Sequence, residues 1–178
     1  MSTQPSVPWD FPRYWQSVRA RTMKVAAAVP EDLIGWGPGH GAMSFGDLLR
    51  HLSMTERWMF TETALGRSSR YQSHGPEVAA SKGEILELMQ RCHLETVTLL
   101  ERLQPEDLSR AIETPAGARI ACWKWLRAMA EHEVHHRGQL YLMLRMCDVP
   151  TPPIFGLTSE ELRRRGSMGA APESLTRP

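Results

Sequence analysis

Four stretches of the chain repeat apolar residues at three- and four-residue steps, and that period constrains the fold more than any other feature of the sequence. In the first, Phe11, Tyr14, Trp15, Val18, Thr22 and Val25 recur behind Asp10, a residue suited to cap a helix start. The spacing predicts a helix over about Phe11 to Ala28, stopped by Pro30. Four glycines and Pro38 make residues 33–42 extended or turning. Ser44 with Asp47, and later Ser81 with Glu84, have the spacing of capping boxes. The first opens a helix carried by Phe45, Leu48, Leu49, Leu52, Met59 and Phe60 to about Gly66, and the second opens one marked by Ile85, Leu88, Met89, Cys92, Thr96 and Leu99 to Leu103.

Residues 105–120, with Pro105, Pro115 and Gly117, read as a connection with a small hairpin around Ala116 and Gly117. A fourth helix is predicted from about Cys122 to Met146. After Pro150 the apolar Ile154, Phe155 and Leu157 are expected to hold the chain over the other helices, ahead of a short capped turn from Ser159 to Arg165. Residues 1–9 and 166–178 are expected to be flexible tails around one domain of residues 10–165.

An amphipathic helix must bury its apolar stripe, and with no convincing long strand the four stripes close best on one another, as an all-α four-helix bundle. The length of 178 residues suits one such core. With 21 Lys and Arg against 20 Asp and Glu, the charge of +1 disfavours nucleic-acid and anionic-membrane partners. The three scattered cysteines, Cys92, Cys122 and Cys147, suggest neither a disulfide framework nor a cysteine zinc site, and no stretch is apolar enough to span a bilayer. The expectation is a cytoplasmic protein.

The chemistry lies in the histidines. Within H-E-V-H-H, residues 132–136, His132 and His136 stand about 40° apart around the helix, on the face that carries Trp125, Met129, Leu140 and Met143. Two inward imidazoles at i and i+4 can share one metal ion, or can be satisfied by hydrogen bonds as core residues. His135 falls off that face. His51, at the border of the second apolar stripe, can complete a three-nitrogen site, and Glu56 in the same stripe demands a partner. That partner is either the free N–H of a ligating histidine or an arginine of the first or fourth helix. Gly138, about 160° from His136, suggests close approach of another helix or a second subunit.

The segments S-F-G-D-L-L-R-H-L-S-M-T-E-R-W (residues 44–58) and H-E-V-H-H-R-G-Q-L (residues 132–140) resemble the DinB-like family, as does the P-T-P-P-I-F-G-L-T-S-E-E-L tail. The resemblance covers roughly residues 10 to 165. It implies a four-helix bundle with up-down-down-up connectivity, often a homodimer, and a nickel or zinc ion held by His51, His132 and His136. Some members are metal-dependent transferases that use low-molecular-weight thiols, so the implied function is a thiol-transferase-like enzyme acting on a small electrophilic substrate. Three neutral imidazoles leave an ion its full charge and an open position, which suits catalysis. Glu133, Glu56, Tyr141 and Arg137 are candidate acids or bases, none singled out by spacing.

Two other functions compete. A metal-binding stress-response protein would use the same ligands without catalysis. H-E-x-x-H also fits a zinc hydrolase with Glu133 as general base, but no histidine follows His136 and no strand offers an edge for an extended substrate.

Overall fold

A computed structural model of the chain describes residues 10–169. The expected tail over residues 1–9 lies outside them, as do the last nine residues of the second tail. Helix α1 spans Phe11–Ala28, and α2 begins at Phe45–Thr55 and continues without a break through a π-helical turn, Glu56–Thr61, into a last α-helical turn, Glu62–Ala64. Helix α3 spans Lys82–Leu100, the short α4 Pro105–Ser109, α5 Cys122–Met146 and α6 Ser159–Gly169. Strands β1 (Ala111–Glu113) and β2 (Arg119–Ala121) pair antiparallel, Ile112 opposite Ile120. Their turn is closed by Thr114 and Ala118, with Gly117 at φ +81, so the small hairpin forms where the glycine permits it.

Both capping boxes are present. Ser44 Oγ accepts from Asp47 N at 3.1 Å, and Ser81 Oγ accepts from Glu84 N at 3.2 Å, with each acid reaching back to its cap backbone. Asp10 stands at the N-cap of α1 but makes no side-chain cap bond, and pairs instead with Arg13 at 3.7 Å. Gln104 and Asp107 make a further box that turns the expected connection at Pro105 into a helical turn. The capped turn after residue 158 is also longer than the sequence suggested. Thr158, which accepts from Glu161 N at 3.2 Å, starts a helix that runs on to Gly169, past the expected domain limit at residue 165.

Contacts between helices fix their directions. Trp15 donates to Glu56 and Arg19, one turn on, to Leu52 O, while Phe11 clusters with Leu100 and Val25 with Ile85, so α1 runs against α2 and α3. Phe11, Trp15 and Val18 cluster with Leu126 and Met129 at one end, and Val25 with Leu140 and Leu144 at the other, which sets α5 parallel to α1, while Arg137 donates to Val18 O at 3.1 Å between them. The segment from Gly66 to Ala80 returns along α2, where Arg50 donates to His74 O (2.7 Å) and Ala79 O (2.9 Å), so that α3 starts beside the start of α2 and runs parallel to it. This is a four-helix bundle with up-down-down-up connectivity.

The core has two apolar clusters. One holds Val25, Phe45, Leu49, Leu52, Ile85, Met89, Leu140 and Leu144. The other holds Phe11, Trp15, Val18, Phe60, Leu100, Leu126 and Met129. On each long helix the residues between the two sets are polar: Arg19 and Thr22 on α1, Thr55 and Glu56 on α2, His93 and Thr96 on α3, Glu133 and Arg137 on α5. The bundle therefore carries a polar layer at mid-height, and the histidine pair of α5 lies at that level. The last segment packs back as expected. Ile154 touches the first cluster, Tyr141 donates to Pro152 O at 2.8 Å, and Arg21 stacks on Phe155 at 5.1 Å.

Candidate metal centre

The structure brings His51, His132 and His136 together across α2 and α5. His132 Nε2 lies 3.1 Å from His51 Nε2 and 3.1 Å from His136 Nε2. Among the described residues, these three offer ligating atoms that all lie within 4.8 Å of one another, and each side chain is half-buried. His132 and His136 meet because one helical turn separates them. His51 meets them because α2 and α5 run antiparallel with their mid-points level. Phe60 backs His132, with ring centroids 5.3 Å apart.

The outer nitrogens of two of the rings are engaged. Gln139 Oε1 accepts from His136 Nδ1 at 2.7 Å. Since an amide oxygen only accepts, Nδ1 carries the proton and Nε2 presents a lone pair. His51 Nδ1 lies 3.1 Å from the Tyr71 hydroxyl, which lies 2.5 Å from His74 Nδ1. His132 Nε2 can carry at most one proton, so one of its two contacts is left lone pair against lone pair. A divalent cation would satisfy all three nitrogens, and ligands at zinc–nitrogen distances around a tetrahedral ion stand roughly 3.4 Å apart, close to what the cluster shows.

Electrostatics keep the rings neutral. Burial, then His136 and His74, push His51 down to about 4. Burial, then His136 and His51, push His132 down to about 3. Burial also lowers His136, against the hydrogen bond to Gln139. Neutral imidazole is the form that binds a metal.

The other charged candidates face elsewhere. Glu56 does not touch a ligating ring: it accepts from Trp15 Nε1 at 2.6 Å, pairs with Arg19 of α1 and meets His93 Nδ1 at 2.9 Å. Of the two partners the sequence allowed it, the arginine is realised, because α1 closes over that face of α2. Glu133 is 1 % exposed and lies 3.3 Å from Arg19 Nη1, with burial raising its pKa. It is directed away from the three nitrogens, which removes it as a general base for the H-E-x-x-H reading. Arg137 bonds to α1 and Tyr141 to the tail, so both are structural. His135 is exposed and its ring lies 5.0 Å from that of His136.

Gln139 stands three residues after His136 within H-R-G-Q-L, a spacing that by itself marks it as a neighbour on the same helix surface. Tyr71 and His74 carry no such signal, since they lie in an irregular segment that only the fold brings to His51. A cleft of about 470 Å³ opens beside His136 and Gln139, lined by Met43, Leu48 and Met143 among others. A larger one of about 680 Å³, lined by Phe11, Tyr14, Trp123 and Val134, includes none of the three histidines. Gly138 has nothing within 4 Å of where a Cβ would stand, so among the described residues no other helix approaches it closely.

Similarity to known proteins agrees with this architecture. The chain is 26 % identical over 135 residues to the uncharacterised protein YjoA of Bacillus subtilis (strain 168), covering 74 % of this chain and 85 % of YjoA. The crystal structure of YjoA, described as DinB-like, superposes with a TM-score of 0.68 at 23 % identity, covering 82 % of this chain and 97 % of the other. A DinB-like protein from Bacillus cereus ATCC 10987 gives 0.68 at 17 % identity, over 82 % and 95 % of the two chains. YfiT from Bacillus subtilis, described as a probable metal-dependent hydrolase with an unusual four-helix bundle topology, gives 0.66 at 15 % identity, over 84 % and 93 %. The model of the DinB family matches residues 1–166, and the chain belongs to that family.

Proposed function

We propose that this chain is a metal-dependent enzyme of small-molecule chemistry, thiol-transferase-like, whose divalent ion, nickel or zinc, is held by His51, His132 and His136. The observation that carries the reading is the convergence of three neutral imidazole nitrogens with no carboxylate among them. Bound there, such an ion keeps its full charge and lowers the pKa of a thiol or water in its open position.

The chain's own thiols do not serve the site. Cys92 and Cys122 are buried and pushed up to about 11, and Cys147 lies at the end of α5. The reacting thiol is therefore a low-molecular-weight cosubstrate. The apolar cleft beside His136 accommodates the hydrocarbon part of an electrophilic partner, while Gln139 and Tyr71 hold the outer nitrogens of the rings.

Hydrolysis is the second reading, favoured by the description of YfiT, a protein of the same fold. Metal analysis followed by a screen of electrophiles with and without thiols separates the alternatives. Turnover that requires both a thiol and His132 supports transfer. Thiol-independent cleavage supports hydrolysis, and a loaded protein inactive in both screens supports a non-catalytic metal-binding role.

A further inference from the structure

The irregular segment between α2 and α3 supplies the cluster with two side chains that the metal site itself does not require. The Tyr71 hydroxyl stands between His51 Nδ1 at 3.1 Å and His74 Nδ1 at 2.5 Å. The rings of His51 and His74 pack edge to face with centroids 5.3 Å apart. The segment is anchored from below: Arg50, 4 % exposed, donates to His74 O and Ala79 O and pairs with Asp47. The position of His74 is thus fixed by the same helix that carries His51.

A phenol has one proton, so this chain of hydrogen bonds has two polarities. In one, His51 Nδ1–H donates to Tyr71 and Tyr71 O–H donates to His74. In the other both bonds reverse, and the His51 proton sits on Nε2, facing His132. Only the first leaves His51 Nε2 free to bind a cation.

Resting on the three-histidine reading above, we propose that Tyr71 is a positioning residue. Its hydroxyl, with His74 as acceptor, selects the tautomer in which His51 can bind the metal, and metal loading is transmitted through it to His74, two hydrogen bonds from the ligating atom. The exchange balances at the outer nitrogens: as the two hydrogen-bond protons shift toward His51, His51 gives up its Nε2 proton and His74 takes one up at Nε2, so both rings stay neutral and Tyr71 keeps its proton. Groups that hold a ligating histidine in this way typically contribute ten- to a hundred-fold in metal affinity.

The test uses the full chain, zinc as the probe, and nitrogen NMR of the histidine rings. In the parent, zinc loading should leave His51 protonated at Nδ1 and His74 unprotonated at Nδ1. Tyr71→Phe keeps the ring and the fold, and should weaken zinc binding tenfold or more while making the His74 nitrogens insensitive to zinc. His74→Ala should weaken it by less, since water can accept from Tyr71. Unchanged zinc affinity in Tyr71→Phe, with His74 responding to zinc as before, would overturn the proposal. If His51→Ala kept zinc at full affinity, the three-ligand site would fail and this inference with it. If His51→Ala lost zinc while Tyr71→Phe behaved like the parent, this inference alone would fail.

Discussion

His51 and His132, 81 residues apart in sequence, face each other through their Nε2 atoms at 3.1 Å. One N–H can bridge only one such contact, and His136 Nε2 stands at the same distance from the same His132 nitrogen. A cation between the three nitrogens would supply what the missing donors do not.

The acid response of the metal-free protein follows from the depressed ring pKa values. The unfolded histidines take up protons near 6.5, whereas the folded His51 and His132 do so only near 4 and 3. Between those limits the unfolded state binds more protons, so the contribution of the pair is complete above pH 6.5 and is lost as pH falls toward 4 and then 3. Urea midpoints measured at pH 7 and at 4.5 should drop more for the parent than for His132→Gln. Equal drops would show that the ring is not held neutral by the fold.

Glu56 should matter for the fold and not for the metal. It is 2 % exposed and shared by Trp15, Arg19 and His93. Removing Glu56 strips the buried Arg19 guanidinium of its nearest partner and leaves it only Glu133 at 3.3 Å; breaking a buried pair in this way costs about 3–5 kcal/mol. Glu56→Ala should lose that much in denaturant unfolding while binding zinc within twofold of the parent. A stable variant with weakened metal affinity would return Glu56 to the ligand shell.

Gly138 tests the outer face of α5. With nothing within 4 Å, Gly138→Ala has room and should gain about 1 kcal/mol from helix propensity alone. The neighbouring Leu142 is 61 % exposed and Val134 46 %, which makes this the apolar face of α5 on which we expect a second copy to pack. Gly138→Leu should weaken self-association in sedimentation and leave metal content unchanged. Self-association equal to that of the parent would place the contact elsewhere.

Duplex DNA should bind weakly at physiological salt, because a chain of net charge +1 displaces few counterions. Submicromolar, salt-sensitive binding would contradict this.

How far the sequence could be read is clearest on α2. Its start was legible because Ser44 and Asp47 announce a cap, and its apolar face because the 3.6-residue period is strong through Leu52. Beyond that the helix widens into the π turn, where Thr61 Oγ1 donates to Glu56 O at 2.7 Å, and the phase of the face shifts. Glu56, which its place in the apolar stripe marks for a partner, is buried there beside Arg57 and Glu62: Arg19 arrives from α1 and Glu95 from α3, and Arg57 pairs with Glu62 along the same helix. Pairings of that kind depend on tertiary contacts that periodicity does not encode. The same holds for Tyr71 and His74, whereas His132 and His136 were legible together because one helix suffices to align them.

Metal content is the most direct measure of the central claim. Purified parent and His51→Ala, loaded with zinc and freed of loosely held ions, should contain one ion per chain and almost none, respectively, with both folded by circular dichroism. His51 is the informative residue because, among the described residues, it is the ligand that joins α2 to the pair on α5. A folded His51→Ala protein that retained one tightly bound zinc per chain would contradict the three-histidine centre.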